Sequence, residues 1–255
     1  PYPWRVSLGD ARKGESFEMT EQTRTRRWLR YGAALVLCQA LAACGSAEAP
    51  PESTKERVGA ATVAPVPADA PLVIAFGDSL YAGYQLGPTE GLAPQLQAAL
   101  VAAGSPARVQ NAGVSGDTTA AGRARLSFVL DNAPSKPALV VLGLGGNDML
   151  RGIGVTETRA NLTAMMEELK RRDIPVVLTG MLAAPNLGAD YGKAFNGIFP
   201  DLAKRYDAGL YPFILDGVLD KPNLMLPDGI HPTADGVTVM AKGIAPLVAE
   251  RLPEK

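Results

Sequence analysis

The chain has 255 residues, is 47% apolar and carries a formal net charge of −1, so it can form one sizeable domain with additional segments. From Cys44 onward there are 18 basic and 22 acidic residues, and this mildly acidic balance excludes the basic footprint of a nucleic-acid-binding protein. Both cysteines, Cys38 and Cys44, lie in one N-terminal apolar stretch, which excludes internal disulfides and thiolate metal sites from the rest of the chain.

The N-terminal segment has the pattern of an export signal. Residues 1–18 precede Met19, and we interpret them as upstream or added sequence. Residues 19–43 combine a basic start with an apolar run too short to span a bilayer, which is typical of a secretory signal. The run ends in Leu41-Ala42-Ala43-Cys44, which resembles a bacterial lipobox and predicts lipidation of Cys44. Ordinary cleavage near the alanines, with Cys44 incidental, is the alternative.

Residues 44–70 are rich in Ala, Pro, Ser and Glu and have few large apolar side chains, so we expect a disordered tether. Such a tether would hold a domain formed by residues 71–255 away from a membrane. Gly45 and Ser46 lack the acidic residue that favours inner-membrane retention in the lipoproteins that this segment resembles. We therefore expect an exported protein on the periplasmic side, anchored through lipidated Cys44 to the outer membrane.

From residue 71 onward, short apolar runs alternate with amphipathic stretches. This alternation predicts an α/β fold with a parallel sheet covered by helices on both faces. The predicted strands are 72–76, 107–111, 138–143, 174–179 and 211–215. The predicted helices are 90–103, 117–131, 156–172, 191–206 and 233–251. In the third helix, Met165 and Met166 are interpreted as core filling.

A serine and the chain's single histidine have the sequence context of a nucleophile and its base. The apolar run 72–76 leads directly into Gly77-Asp78-Ser79, so Ser79 should lie at the carboxyl end of a buried strand, where open α/β sheets hold their ligands. His231 follows Asp228 by three residues, so one turn could carry both side chains. The pattern predicts that Ser79 attacks, His231 moves the proton and Asp228 orients the imidazole.

Two further segments follow predicted strands. Gly113 lies in the segment 111–118, where a glycine can bring its backbone N–H close to a ligand. Asn147 lies in Gly145-Gly146-Asn147-Asp148, and its side chain is a neutral donor that could stabilise an oxyanion. We assign Asp78 and Asp148 a supporting part, in which they orient loops by accepting backbone hydrogen bonds. Each segment alone is also a good turn sequence.

The four blocks together, in this order, resemble the SGNH (GDSL-type) hydrolase superfamily, and within it the bacterial thioesterase/lysophospholipase/arylesterase branch. The resemblance covers residues 72–250 and is carried by residues 77–84, 145–152, 206–212 and 228–232. It implies a three-layer α/β/α fold with a flavodoxin-like, five-stranded parallel sheet. It implies a catalytic triad and an oxyanion hole, the latter formed by the backbone N–H groups of Ser79 and Gly113 and the side chain of Asn147.

We expect a serine esterase that hydrolyses acyl or aryl esters, and thioesters or lysophospholipids, without a metal or organic cofactor. Apolar loops after the third and fourth strands predict the walls of the substrate site, formed with Leu80 by Met149, Leu150, Ile153, Leu182 and Pro185. Two alternatives stay open. One is a carbohydrate O-deacetylase, which would need polar and aromatic sugar platforms. The other is a non-catalytic lipoprotein that binds acyl ligands.

Overall fold

The structure is a computed structural model that describes residues 66–253. Its strands are β1 (Leu72–Gly77), β2 (Arg108–Gly113), β3 (Leu139–Gly143), β4 (Val176–Thr179) and β5 (Gly209–Tyr211). Its α-helices are α1 (Ser79–Ala82), α2 (Leu92–Ala102), α3 (Thr119–Asp131), α4 (Gly146–Leu150), α5 (Val155–Arg171), α6 (Ala189–Asn196), α7 (Ile198–Tyr206) and α8 (Ala234–Arg251). The predicted signal segment, Cys44 and the tether up to residue 65 lie outside the described residues.

The five strands form one parallel sheet in the order β2-β1-β3-β4-β5. This is the flavodoxin-like order that the sequence predicted. The chain moves from β1 outward to β2 and then crosses to β3 on the other side of β1. Ligands of open α/β sheets bind at such a reversal, beyond the carboxyl ends of the strands. The carboxyl end of β1 is therefore the expected place for a site.

Two apolar layers cover the sheet, as the alternation of side chains along each strand requires. In β1, Val73 and Ala75 face one layer, whereas Leu72, Ile74 and Phe76 face the other. The first layer is completed mainly by α2 and α8, and the second by α3, α5, α6 and α7. The structure is thus the predicted three-layer α/β/α arrangement. No helix within residues 66–253 has the length and apolarity needed to cross a membrane.

The helix predicted at 191–206 is two helices, α6 and α7, with Gly197 between them. Pro200 explains the break, because it has no N–H to donate to the carbonyl of Asn196 and its ring would clash with that carbonyl. The short helices α1 and α4 were not predicted, since four or five residues give no readable apolar period.

The last strand was predicted at 211–215, but β5 ends at Tyr211. Pro212 has no N–H with which to continue the strand ladder. The Gly180 N–H donates to the Tyr211 carbonyl at 2.8 Å, and the Ile214 N–H donates to the Gly180 carbonyl at 2.9 Å. The chain after Pro212 therefore passes beyond the end of β4, and this path brings Phe213 and Leu215 to the carboxyl edge of the sheet.

The end of the predicted tether belongs to the folded part. The Ala70 N–H donates to the Pro67 carbonyl at 3.0 Å, and Ala70 is buried. Its carbonyl accepts a hydrogen bond from the Arg108 side chain at 3.1 Å. Ala70, one residue before the predicted domain boundary, is thus hydrogen-bonded to the folded part.

Candidate active site

Ser79 occupies the first position of α1, directly beyond the buried strand β1. The buried carboxylate of Asp78 caps this helix by accepting a hydrogen bond from the Leu80 N–H at 3.1 Å. The structure has no acceptor for the Ser79 N–H among residues 66–253. The local sequence thus presents both a hydroxyl and a free backbone donor at the carboxyl end of the central strand.

Ser79, His231 and Asp228 form a continuous chain of hydrogen bonds. The Ser79 Oγ lies 2.8 Å from His231 Nε2, and His231 Nδ1 lies 2.7 Å from Asp228 Oδ2. This geometry fits an imidazole that keeps its proton on Nδ1 and accepts at Nε2. It is the arrangement that a base needs in order to take a hydroxyl proton.

A short turn holds the carboxylate and the imidazole together. Asp228 Oδ1 accepts hydrogen bonds from the backbone N–H groups of Ile230 at 2.9 Å and His231 at 3.0 Å. Gly229, which lies between Asp228 and Ile230, has a φ of 66°, a value that a residue with a side chain adopts only with strain. The His231 carbonyl in turn accepts from the Leu226 N–H at 2.7 Å. The three-residue spacing therefore produces one braced turn.

The hydrogen bonds around Asp228 also decide its charge. Partial burial acts to raise the pKa of this carboxyl group, but the backbone and side-chain hydrogen bonds from His231, with that from Ile230, hold the pKa below its ordinary value. Asp228 is consequently an anion at neutral pH.

Asn147 lies at the start of α4, beyond the end of β3. Its Nδ2 donates to the Asp117 carbonyl at 2.9 Å, which ties it to the loop after β2. A primary amide nitrogen carries two protons, so one remains for a ligand. Asn147 and Ser79 line the same cavity, which is the placement that the sequence predicted.

Gly113 does not have the predicted arrangement. Its N–H donates to the side chain of Asn111 at 2.8 Å, so it is not free to bind an oxyanion. A Cβ at this position would lie 2.3 Å from the Ala82 backbone nitrogen. Gly113 therefore allows α1, which carries Ser79, to pack closely against β2. The structure corrects its predicted part from hydrogen-bond donor to close-packing residue.

Arg125 of α3, which sequence reasoning missed, connects the ends of two strands. Its guanidinium donates to the carbonyl of Gly77 at 2.9 Å and to that of Ala112 at 2.8 Å. It also pairs with Asp117 Oδ2 at 2.6 Å and lies 4.0 Å from the centre of the Phe76 ring. The turn before Ser79 and the loop that holds Asn147 are thereby fixed to one partly buried cation.

Asp148, the residue after Asn147, has the predicted supporting part. Its buried carboxylate accepts from the Thr119 N–H at 2.8 Å, from the Thr119 hydroxyl, and from the Thr158 hydroxyl at 3.2 Å. It therefore links α4 to α3 and α5. Burial, with the nearby carboxylates of Asp117 and Asp148, raises the pKa of Asp78 to about 7.

A cavity of about 250 Å³ opens beside the Ser79 hydroxyl. Of the predicted walls, it contains Leu80, Met149 and Leu150, whereas Ile153, Leu182 and Pro185 lie outside it. Met181 lines the cavity, whereas its neighbour Leu182, which was predicted to do so, is exposed to solvent. The remaining apolar lining comes from the segment after Pro212 and from the turn that carries Asp228 and His231: Phe213, Leu215, Leu219 and Ile230.

The sequence of residues 75–239 matches the model of the GDSL-like lipase/acylhydrolase family. Esterase TesA of Pseudomonas aeruginosa is 40% identical over 65% of this chain and 81% of its own length. The Escherichia coli K12 protein named thioesterase 1/protease 1/lysophospholipase L1 is 36% identical over 71% of this chain and 86% of its own length.

Solved structures agree with these sequence matches. A crystal structure of AlinE4, described as an SGNH-hydrolase family esterase, is 50% identical, covers 74% of this chain and all of its own, and gives a TM-score of 0.62. A crystal structure of TesA is 36% identical, covers 71% of this chain and 99% of its own, and gives a TM-score of 0.66. The chain therefore belongs to the GDSL-like lipase/acylhydrolase family of SGNH hydrolases and is a carboxylic ester hydrolase.

Proposed function

We propose that the protein hydrolyses esters through a Ser79-His231-Asp228 triad and an acyl-enzyme. The observation that carries this proposal is the unbroken chain of hydrogen bonds from the Ser79 hydroxyl through His231 to Asp228, at 2.8 and 2.7 Å. Ser79 Oγ attacks the carbonyl carbon while His231 Nε2 takes its proton. The imidazolium then gives that proton to the leaving alcohol or thiol as the bond to the leaving group breaks.

Hydrolysis of the acyl-enzyme, the second half of the cycle, uses the same groups, with water in place of Ser79 as the nucleophile. A water molecule attacks the acyl carbon on Ser79 while His231 Nε2 accepts a proton from it. The bond to Ser79 Oγ then breaks, the carboxylic acid leaves, and the proton on His231 returns to the hydroxyl. Asp228 stays ionised throughout, because its pKa lies below the ordinary value.

For the oxyanion we propose the Ser79 N–H and the Asn147 side chain, with Gly116 in place of Gly113. Gly116 lies in a turn closed by a 3.1 Å hydrogen bond from the Asp117 N–H to the Val114 carbonyl. Its N–H has no acceptor among residues 66–253. A crystal structure with a phosphonate on Ser79 tests this: a phosphoryl oxygen should lie about 2.7–3.1 Å from the Gly116 nitrogen.

The Asn147→Ala variant should lower turnover about 10²- to 10³-fold with little change in KM, because an oxyanion donor acts once negative charge develops. Steady-state kinetics measures this. Asn132→Ala is the matched control, since Asn132 also donates to one carbonyl but lies at the far end of α3. If KM rises and turnover holds, Asn147 is a ground-state binding residue and its oxyanion part is wrong.

The cavity supports acyl or aryl groups as the part of the substrate that is recognised. Among the described residues that line it, the only polar side chains are Asp78, Ser79, Asn147 and His231. Each of these already has a role in the proposed reaction or in positioning Ser79. The walls are otherwise aliphatic, thioether or phenyl groups. We extend the proposal to thioesters and lysophospholipids, because a relative is named for both activities.

A carbohydrate O-deacetylase is less well supported, since the cavity lacks polar platforms for a sugar. A chain-length series of nitrophenyl esters, assayed beside acetylated xylan, separates the two activities. We expect hydrolysis of the nitrophenyl esters and little release of acetate from xylan. The opposite result would establish the deacetylase. A serine-reactive phosphonate tests for a non-catalytic acyl-binding protein, which should not be labelled at Ser79.

We also propose that the precursor is exported and anchored through lipidated Cys44, on the strength of the basic start, the short apolar run and Leu41-Ala42-Ala43-Cys44. Cys44 lies outside the described residues. Three acyl chains would give stable anchoring, whereas one chain alone is marginal. The tether would then let the hydrolase domain act at a distance from the outer membrane.

The Cys44→Ser variant of the full chain should lose labelling by radioactive palmitate and should leave the membrane fraction or remain unprocessed. Cys38→Ser is the matched control, because it removes the other cysteine of the same stretch. If the wild-type protein takes up no label and is recovered wholly in the soluble periplasmic fraction, the lipidation proposal is wrong.

A further inference from the structure

The aromatic ring of Tyr84 lies across the imidazole of His231. The two ring centres are 4.2 Å apart and the ring planes are tilted by 32°. Both imidazole nitrogens are hydrogen-bonded, Nε2 to Ser79 Oγ and Nδ1 to Asp228 Oδ2. Tyr84 therefore contacts a face of the ring. None of the steps proposed above uses this contact.

The position of Tyr84 is fixed by the same short helix that carries the nucleophile. Helix α1 ends at Ala82 and is followed by Gly83, whose φ of 79° redirects the chain. The Tyr84 N–H then donates to the Ser79 carbonyl at 3.3 Å. The aromatic ring and the Ser79 hydroxyl are therefore held against His231 by one rigid turn.

The side of the imidazole that faces Tyr84 is closely packed. The space among Tyr84, Leu86, Pro232, Val237 and the imidazole has no room for a water molecule. A cation over an aromatic face gains more where water is excluded. Tyr84 itself is 38% exposed, so solvent reaches part of its side chain while the space beside the imidazole is filled.

Within residues 66–253, the contacts and the adjoining cavity place three ionisable side chains near the imidazole. Asp228 contacts it from its own turn, Asp78 lines the adjoining cavity from the end of β1, and Tyr84 lies across the ring. Helix α8 contributes the apolar residue Val237 to this side. When His231 takes the proton of Ser79, the new positive charge faces the Tyr84 ring and the Asp228 carboxylate.

We propose that Tyr84 is a positioning residue that stabilises the protonated form of His231 through its aromatic face. The inference rests on the proposed function, since it requires His231 to be the base. The negative face of the ring attracts the imidazolium, which exists in the transition states of both acylation and deacylation. The neutral imidazole gains less, so the interaction favours the transition state over the resting enzyme.

The test is the pH dependence of kcat/KM in Tyr84→Phe, Tyr84→Trp and Tyr84→Leu variants. Tyr84→Leu should lower the alkaline plateau about 3- to 10-fold and move the acid limb to lower pH by about 0.5–1 unit, because the imidazolium loses its aromatic partner. Tyr84→Phe and Tyr84→Trp should stay near wild type in both respects. Tyr206→Leu, which removes a tyrosine at the other end of the sheet, is the matched control.

The direction of the shift separates this proposal from simple shielding. If Tyr84 only excludes water, its removal hydrates the imidazole, favours the charged form and moves the acid limb to higher pH. A shift to higher pH, or no shift, in Tyr84→Leu overturns the proposal. Substantial activity in Ser79→Ala or His231→Ala would instead overturn the proposed triad, so the two failures are distinguishable. Circular dichroism of each variant confirms that it is folded.

Discussion

Replacement of Ser79 by alanine is expected to lower turnover by about 10⁴-fold or more while the protein remains folded. In the proposed mechanism the hydroxyl oxygen forms the bond to the acyl group, and the structure places no other side chain 2.8 Å from His231 Nε2 among the described residues. The fold should survive, because the cap of α1 is made by Asp78 and not by Ser79. Steady-state hydrolysis of a nitrophenyl ester measures the loss.

Ser127→Ala is the matched control for this variant, since Ser127 is an exposed serine of α3 with one side-chain hydrogen bond, to Glu168. It should retain wild-type turnover. Labelling by a phosphonate should disappear in Ser79→Ala and persist in the control. Substantial hydrolysis by cleanly purified Ser79→Ala would show that Ser79 is not the nucleophile.

The placement of Ser79, Asp228 and His231 was predictable because the sequence signals for it are local. A buried apolar run followed by Gly77-Asp78-Ser79 sets the serine at a strand end, and the three-residue spacing of Asp228 and His231 fits within one turn. The parallel sheet then brings such strand ends to one edge. The order of strands also followed from the resemblance. These steps required no knowledge of individual side-chain contacts.

Gly113 could not be placed by the same reasoning, because the presence of a strand exit does not show whether a backbone N–H is free. Asn111, two residues earlier, takes that N–H with its side chain. Asparagine often forms such a local bond to the backbone two residues on, so the pair Asn111 and Gly113 was a usable sequence signal. The positive φ of Gly116, three residues later, has no equally clear sequence signal.

The substrate walls and Arg125 depend on contacts between distant segments. Phe213 and Leu215 were assigned to a strand, where they would have packed on the sheet, but Pro212 ends that strand and the chain turns toward the cavity. In the sequence, nothing distinguishes Arg125 from any other basic residue of a helix. Its contact with the Gly77 carbonyl, 48 residues away, arises only when α3 packs beside β1.

His231→Ala should cause a loss similar to that of Ser79→Ala, because the chain contains a single histidine and no other imidazole can replace it. Asp228→Asn should cause a smaller loss. An asparagine oxygen can still accept from the Ile230 and His231 N–H groups, so the turn is kept, while the negative charge beside the imidazolium is removed. Asp235→Asn, an exposed change in the first turn of α8, is the matched control.

The wild-type pH profile gives an independent check on the same base. In the proposed mechanism His231 must be neutral to accept the Ser79 proton, so activity should fall toward acid pH, within the interval of about pH 5–8 in which imidazoles in general change charge. Asp228 should not contribute a fall in that range, since hydrogen bonding holds its pKa below the ordinary carboxyl value and it stays ionised there. A rate that is constant from pH 5 to pH 9 would exclude His231 as the base, because no imidazole in the molecule would then be titrating in the catalytic step.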